Sequence, residues 1–167
     1  MVATLARLTI PRLGIRPHHQ LLEIGCGNGT AVAAVAERLA TGTILAIDRS
    51  AATVARATQR NAVHIARGVA HIVQVDLADL TVPAGHFHTI FALNVNLFQT
   101  DAMEAVDFIR RALRRRGRLV LGYGRRDADH LRALAERTCA HLESGGLTSA
   151  VVDWSGAGCL YVTAQRR

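Results

Sequence analysis

The stretch that decides the fold is Leu21-Leu-Glu-Ile-Gly-Cys-Gly-Asn-Gly-Thr30. Its first residues are apolar except for Glu23, as in a strand covered on both faces, and the alanines and valines that follow Thr30 predict a helix. The glycines between them allow positive φ angles and let a ligand come close to the backbone. Open α/β sheets bind their ligands at this end of a strand, so the pattern predicts a site for a nucleotide-like cofactor.

Short apolar runs alternate with helical patterns along the rest of the chain, which predicts an α/β fold with a mainly parallel sheet. The predicted strands are Gln20–Ile24, Thr43–Ile47, His71–Val75, His88–Leu93 and Arg118–Leu121. The predicted helices are Thr30–Leu39, a second that Ser50 caps and that runs to about Asn61, a third that starts with the capping box Asp101-Ala-Met-Glu104 and stops at Gly117, and a fourth that Asp127 caps.

Two further strand-like runs, Ser149–Trp154 and Cys159–Ala164, are joined by only Ser-Gly-Ala-Gly. This link is too short for a helical crossover, so the two runs are expected to pair as an antiparallel hairpin. The otherwise parallel sheet should therefore contain one antiparallel strand. Nothing in the sequence looks like a linker or a repeat, and residues 1–167 are predicted to form a single domain.

Composition excludes several classes of protein. With 50% hydrophobic and 20% charged residues the chain is globular. Its apolar runs are shorter than the ~20 residues of a membrane span, and its first residues do not resemble a secretory signal, so we expect a cytoplasmic protein with no membrane partner. The three cysteines have no CxxC spacing, and His86-Phe-His88 has no third ligand in view. No disulfide and no metal site are expected.

Aspartates follow the second and third predicted strands. Asp48 comes about 20 residues after the glycine loop, where a carboxylate can accept hydrogen bonds from both hydroxyls of a ribose. Asp76 closes the third strand and is placed to accept a hydrogen bond from an exocyclic amino group such as that of adenine. Acids at successive strand ends beside a glycine loop favour ligand binding over a role in helix capping alone.

The spacing Glu23-x-Gly25-x-Gly27-x-Gly29 resembles the first motif of the class I S-adenosylmethionine-dependent methyltransferases, and it differs from the GxGxxG of nicotinamide and flavin enzymes. The resemblance extends through nearly the whole chain. It implies the Rossmann-like, doubly wound, seven-stranded sheet of that family, with the last strand inserted antiparallel. Asn94-Val-Asn-Leu-Phe98 is similar to small-molecule methyltransferases of the ubiquinone-biosynthesis type.

The same resemblance implies roles for individual residues. Glu23 and the backbone of Gly25 would lie near the methionine end of S-adenosylmethionine, and the carbonyl of Asn94 would lie close to its ammonium. Asp48 would bind the ribose, and Asp76 with Leu77 the adenine. The full set of cofactor-binding residues implied in this way is Glu23, Gly25, Cys26, Gly27, Gly29, Asp48, Arg49, Asp76, Leu77 and Asn94.

The acceptor is less well defined by the sequence. No Asn-Pro-Pro-Tyr or Asp-Pro-Pro-Tyr tetrapeptide follows the fourth strand, which weighs against amino groups of bases or glutamine and leaves oxygen, carbon or sulfur acceptors. No residue is a convincing general base. Asn96 and Tyr123 are expected to position a substrate, and His18 and His19 to lie over the cofactor mouth. Little precedes the first strand, so the substrate site is expected either to be open or to be completed by a second subunit in a homodimer.

Two alternative functions remain at this point. A nicotinamide-dependent oxidoreductase is disfavoured by the glycine spacing and by the lack of any lysine for a Tyr-x-x-x-Lys pair. The net charge of +7 and the arginines within Arg110–Arg126 would suit an RNA or DNA methyltransferase, or a nucleic-acid-binding module. However, all 20 basic residues are arginine, as coding bias produces, and aromatic residues for stacking make up only 4%. A small-molecule substrate is therefore favoured.

Overall fold

A computed structural model of the chain describes residues 2–98, 102–124, 127–155 and 158–167. The strands are β1 Gln20–Ile24, β2 Thr43–Asp48, β3 Ala70–Gln74, β4 Phe87–Leu93, β5 Leu113–Gly124, β6 Leu147–Ser155 and β7 Cys159–Arg166. The helices are α1 Val2–Thr9, α2 Thr30–Ala36, α3 Ala51–Arg60, α4 Ala62–Ala66, α5 Ala102–Ala112 and α6 Ala128–Ser144, with short 3-10 helices at Ile10–Leu13 and Leu77–Asp79.

The strands form one sheet in the order β3-β2-β1-β4-β5-β7-β6. Neighbouring strands from β3 to β5 pair in parallel, and β7 pairs antiparallel with both β5 and β6. The predicted fold class, with an antiparallel last strand inserted into a doubly wound sheet, is confirmed. Each predicted strand is present, and β5 extends well beyond its predicted bounds in both directions.

The two faces of the sheet are covered by different helices because successive strand residues point to opposite sides. On one face Leu21 and Phe91 pack with α1, α2 and α3. On the other face Leu22 and Ile90 pack with α5 and α6. Each helix buries its apolar stripe against strands that are apolar on both sides, which explains why the central strands contain so few polar residues.

The third predicted helix ends earlier than its pattern suggests. Helix α5 ends at Ala112, and Leu113 already pairs with Phe87 as the first residue of β5. Leu113 is buried as a strand residue. It lies four residues after Ile109, the spacing of a further helical turn, and for this reason the pattern predicted a longer helix. The register with β4 then shifts across Arg114–Gly117, and Arg116 takes a positive φ of 60°. The arginine run is thus an irregular entry to β5. The predicted cap Asp101 lies outside the described residues.

An element that the sequence did not predict precedes β1. Helix α1 and the 3-10 helix after it bury Leu5, Ala6, Ile10 and Leu13 against α2 and the sheet. Pro11 falls in the first turn of the 3-10 helix, where a missing N–H is tolerated but an α-helix cannot pass through. This interruption splits the apolar periodicity into two short pieces. None of the helices within the described ranges is long and apolar enough to span a membrane.

Because β7 lies inside the sheet and β6 at its edge, equal substitutions on the two strands should have unequal effects. Val162 of β7 is 0% exposed, and Val152, its partner on β6, is 39% exposed. We predict that Val162→Ala lowers the free energy of unfolding by about 2 kcal/mol, and that the matched control Val152→Ala changes it by about 0.5 kcal/mol or less. Urea denaturation measures both values; equal losses would contradict the internal position of β7.

Candidate functional site

The glycine loop between β1 and α2 is tied to the end of the neighbouring strand. The backbone N–H groups of Gly25 and Cys26 both donate to the carbonyl oxygen of Ile47 in β2, at 2.8 and 2.9 Å. The N–H of Gly29 donates to the carbonyl of Cys26 at 2.9 Å and closes the turn just before α2 begins. The loop therefore lies at the carboxyl edge of the sheet. Strand order reverses there because β1 is flanked by β2 on one side and β4 on the other.

The three glycines of the loop face different surroundings. A Cβ placed on Gly25 would lie 2.4 Å from Val95 Cγ2, and one on Gly29 would lie 2.4 Å from Asn61 Nδ2. A Cβ on Gly27 would meet nothing within 4 Å, although the φ of Gly27 is +53°. Gly25 and Gly29 are thus required by packing within the protein. Gly27 instead leaves its backbone exposed on the side where a ligand can approach.

Two residues at the end of α3 that hold this loop in place were not predicted from the sequence. Asn61, at the junction of α3 and α4, is fully buried, and its Nδ2 donates to the carbonyl oxygens of Gly29 at 3.0 Å and Ala57 at 2.9 Å. Arg60 Nε donates to the carbonyl of Asn28 at 2.9 Å. A polar residue at the end of a helical pattern looks like an ordinary helix stop, so no local signal separates Asn61 from a surface residue.

The carboxylate of Asp48 is held against the loop at the end of β2. Its Oδ2 accepts a hydrogen bond from the N–H of Gly27 at 3.2 Å, and its Oδ1 accepts one from the N–H of Ser50 at 3.0 Å. An ionised carboxylate has about four acceptor positions, so both oxygens keep capacity for a ligand's hydroxyl groups. Arg49, which follows, has an exposed side chain, and its carbonyl accepts a hydrogen bond from Gln74.

Glu23 lies beneath the loop with 2% of its surface exposed. Its Oε2 is buried and has no hydrogen-bond partner among the described residues. Burial raises the pKa of this carboxyl well above its usual value, and the nearby charge of Asp48 raises it further. Burial, followed by the charges of Glu23 and Asp48, also raises the pKa of the Cys26 thiol to about 12. Cys26 is therefore a neutral thiol and not a nucleophile at neutral pH.

Asp76 and Leu77 stand next to Asp48 along the same edge, because the N–H of Val75 donates to the carbonyl of Asp48 at 3.2 Å. The exposed Asp76 caps the second 3-10 helix through its Oδ1, which accepts from the N–H of Ala78 at 3.2 Å. Leu77 is partly buried against the core. The two acids that the sequence places at successive strand ends thus follow adjacent strands at the same edge of the sheet, and the carboxylate of Asp48 contacts the loop.

Asn94 joins the carboxyl ends of β4 and β5. It adopts a left-handed conformation with a φ of 55°, its N–H donates to Gly122 at 2.8 Å, and its Oδ1 accepts from the N–H of Gly124 at 2.9 Å. Asn96 lies two residues further on and is exposed at this edge. Tyr123 also ends at this edge, but it is only 3% exposed and its ring is part of the core under α5 and α6.

The predicted position of His18 and His19 over the cofactor mouth is wrong. Both precede the first residue of β1, and their rings lie 5.8 and 4.3 Å from the ring of His88, the second residue of β4. Because β1 and β4 are parallel, these histidines lie at the amino edge of the sheet, opposite the glycine loop. His18 and His19 precede the glycine loop in sequence, but the whole length of β1 lies between them and that loop.

The buried carboxyl of Glu23 should lower the stability of the protein at neutral pH, because folding must either bury its charge or protonate it. A carboxyl whose pKa is raised in the folded state is stabilising only while it is protonated, so its contribution is lost as the pH rises from the unfolded value towards the folded one. We predict that Glu23→Gln raises the free energy of unfolding at pH 7, and that the gain disappears in acid.

Urea denaturation as a function of pH tests this prediction. The control is Glu37→Gln, which removes the same charge from an exposed position and should change the stability by about 0.5 kcal/mol or less. A Glu23→Gln protein that is less stable than the wild type at pH 7 would show that the charge is compensated.

Solved structures with the same fold cover almost the whole chain. An S-adenosylmethionine-dependent methyltransferase from Aquifex aeolicus aligns with a TM-score of 0.82 and 15% identity, over 97% of this chain and 89% of that one. The [4+2]-cyclase SpnF aligns with a TM-score of 0.80 and 19% identity, over 98% and 81%. Geranyl diphosphate C-methyltransferase from Streptomyces coelicolor aligns with a TM-score of 0.78 and 13% identity, over 99% and 79%.

Comparison by sequence gives one match to a protein family. No curated protein sequence gives a significant match. The profile of the family described as "Methyltransferase domain" matches residues 21–117, more than half of the chain, from the first strand and its glycine loop to the start of β5. The chain belongs to the methyltransferase domain family and has the class I fold of the S-adenosylmethionine-dependent methyltransferases.

Proposed function

We propose that the protein is an S-adenosylmethionine-dependent methyltransferase whose acceptor is a small molecule. The observation that carries this proposal is the pairing of Gly27 with Asp48. The backbone at Gly27 is open to a ligand, and its N–H fixes a carboxylate that still has acceptor capacity. A ligand with a ribose and a charged, compact tail fits this arrangement, and family membership points to the same cofactor.

The residues of the carboxyl edge suit the parts of S-adenosylmethionine one by one. Asp48 would accept hydrogen bonds from the ribose hydroxyls, and Asp76 with Leu77 would receive the adenine. Glu23 has a buried carboxyl oxygen without a partner in the described part of the chain, directly beneath the loop. A ligand ammonium would satisfy that oxygen and favour its charged form. The cofactor supplies a methyl group that is already activated on a sulfonium.

The protein's part in such a reaction is mainly alignment. Displacement at an activated methyl group is accelerated when nucleophile and methyl are held in line, and no covalent intermediate with the protein is needed. The neutral Cys26 thiol is consistent with direct transfer, since it cannot act as a methyl acceptor. The exposed Asn96 can contact and orient an acceptor from solvent.

An oxygen, carbon or sulfur acceptor is favoured over nitrogen. Asn94, Val95 and Asn96 occupy the segment after β4 where amino-group methyltransferases carry Asn-Pro-Pro-Tyr. Here Asn94 bonds to β5 and Val95 fills the space above Gly25, so the segment is committed to packing. A neighbour named as a geranyl diphosphate C-methyltransferase supports a small-molecule acceptor. The ubiquinone-biosynthesis type remains a prediction from Asn94–Phe98.

Calorimetric titration with S-adenosylhomocysteine tests the cofactor. We predict saturable binding, with no binding of NAD, and a loss of about 1.5 to 3 kcal/mol in affinity for Asp48→Ala, the scale of a hydrogen bond to a charged group. Glu37→Ala, which removes an exposed acid beyond the far end of α2, should bind like the wild type. Unchanged affinity in an Asp48→Ala protein with a normal melting transition would place the ribose elsewhere.

The class of acceptor can be decided with a tritiated methyl donor. The protein is incubated in parallel with a metabolite extract of small molecules and with total RNA, and the label is followed in each fraction. We expect label in the small-molecule fraction, because aromatic residues that could stack on nucleic-acid bases make up only 4% of the chain. Label in the RNA fraction alone would establish the nucleic-acid alternative.

A further inference from the structure

Basic side chains from three segments meet at the amino edge of the sheet, far from the glycine loop. His18 and His19 belong to the segment before β1, His88 to the start of β4, and Arg114 to the irregular entry of β5. Because β1, β4 and β5 are adjacent parallel strands, their amino ends lie side by side. We refer to these four residues as the amino-edge cluster.

The three imidazole rings of the cluster are in mutual contact. The rings of His19 and His88 stack with centroids 4.3 Å apart and planes inclined by 16°, and the ring of His18 stands edge-on to both, at 5.1 and 5.8 Å. The Thr41-Gly42 turn supports this arrangement, because a Cβ on Gly42 would lie 2.1 Å from the carbonyl oxygen of His19. The histidine pair thus rests on a fixed backbone and not on a free loop.

The hydrogen bonds of His88 leave two donors facing each other. Its Nδ1 accepts from the N–H of Gln20 at 3.0 Å, so in the neutral ring the proton is on Nε2. Nη1 of Arg114 lies 2.5 Å from that Nε2, and a guanidinium has only donors. An acceptor would satisfy both N–H groups, and no carboxylate in the described part of the chain bonds to either of them. His19 Nδ1 is also buried without a partner among the described residues.

A metal ion is a poor fit for the same residues, although nitrogen atoms of the three histidines lie within 4.8 Å of one another. A metal bound by two imidazoles lies in the plane of both rings, which the stacked His19 and His88 cannot provide without turning apart. The Nε2 of His88 carries a proton in place of the lone pair that a metal needs. The guanidinium of Arg114 would also repel a cation.

We propose that the amino-edge cluster is a binding site for a tetrahedral oxyanion, and specifically for a phosphate group. Its oxygens would accept hydrogen bonds from Arg114 and from the imidazole N–H groups, and its charge would offset the concentration of basic groups. The site belongs to the edge of the sheet opposite the proposed cofactor, so it is independent of the methyl-transfer reaction.

The ionisation of the histidines agrees with this assignment. Burial lowers the pKa of His88 to about 4, with further lowering by His19, Arg114 and His18. Burial also lowers the pKa of His19, followed by His18, Arg16 and Arg114. The groups acting on the rings come from the segment before β1, from β4 and from β5, and all of them are basic. An anion seated among them would raise both pKa values, so binding should be accompanied by proton uptake.

Nuclear magnetic resonance of the histidine Cε1–H groups, with inorganic phosphate as the probe at constant ionic strength, tests the site directly. We expect saturable shifts of the His19 and His88 signals. Arg114→Gln should raise the dissociation constant for phosphate about tenfold, because it removes a charge-assisted hydrogen bond. The matched control is Arg115→Gln, which removes the same charge from the next exposed residue of β5 and should bind phosphate like the wild type.

A second titration uses sulfate, which remains a dianion through the range in which histidine titrates. Sulfate binding should tighten as the pH falls from 7 towards 5, and it should raise the apparent pKa of His88. His18→Gln, at an exposed position, is a further variant and should weaken the binding of both phosphate and sulfate. These readouts need no cofactor and no methyl transfer, so failure here is distinct from failure of the proposed function.

The source of the phosphate group is identified by competition. A short single-stranded RNA that displaces phosphate from the wild type, but not from Arg114→Gln, assigns the site to a nucleic-acid backbone. An RNA that does not displace it assigns the site to a small phosphorylated molecule. Three results would overturn the proposal: no saturable shift, equal loss of affinity in Arg114→Gln and Arg115→Gln, or saturable shifts with Zn²⁺ where phosphate produces none.

Discussion

The close approach of the loop after β1 to α3 and to the end of β4 is the constraint on which the rest of the structure depends. Side chains at positions 25 and 29 would collide with Val95 and Asn61, so only glycine lets these elements meet. Glycine loses more backbone freedom on folding than other residues, and the two hydrogen bonds to Ile47 help to offset that loss. The same contacts set where α2 begins and leave the edge beside Gly27 open.

Much of this architecture could be predicted from the sequence because its signals are local. Alternation of strands and helices, the glycine spacing and the acids at strand ends each lie within a few residues of what they specify. Asn61 could not be recognised, because its partner Gly29 is a long-range contact and a buried asparagine looks like a helix end. His18 was misplaced because five strand residues carry the chain roughly 16 Å from one edge of the sheet to the other.

Similarity of fold does not by itself decide the reaction here. Proteins named as a methyltransferase and as a [4+2]-cyclase align with this chain almost equally well. Open α/β sheets bind their ligands at the carboxyl edge, and the groups placed there determine the chemistry. In this chain the two edges of the sheet carry different ionisable side chains. Acids gather at the carboxyl edge around Glu23 and Asp48, and bases gather at the amino edge around His88 and Arg114.

The position of β7 between β5 and β6 has a consequence for the order of folding. The hairpin of β6 and β7 is a local structure that can form early, whereas its pairing with β5 requires closure of a loop that contains all of α6. Until the hairpin docks, residues Arg118–Gly124 of β5 present an unpaired edge, the kind of surface through which partly folded chains associate. The arginines at the entry to β5 place repulsive charge beside that edge, where it would discourage aggregation during this interval.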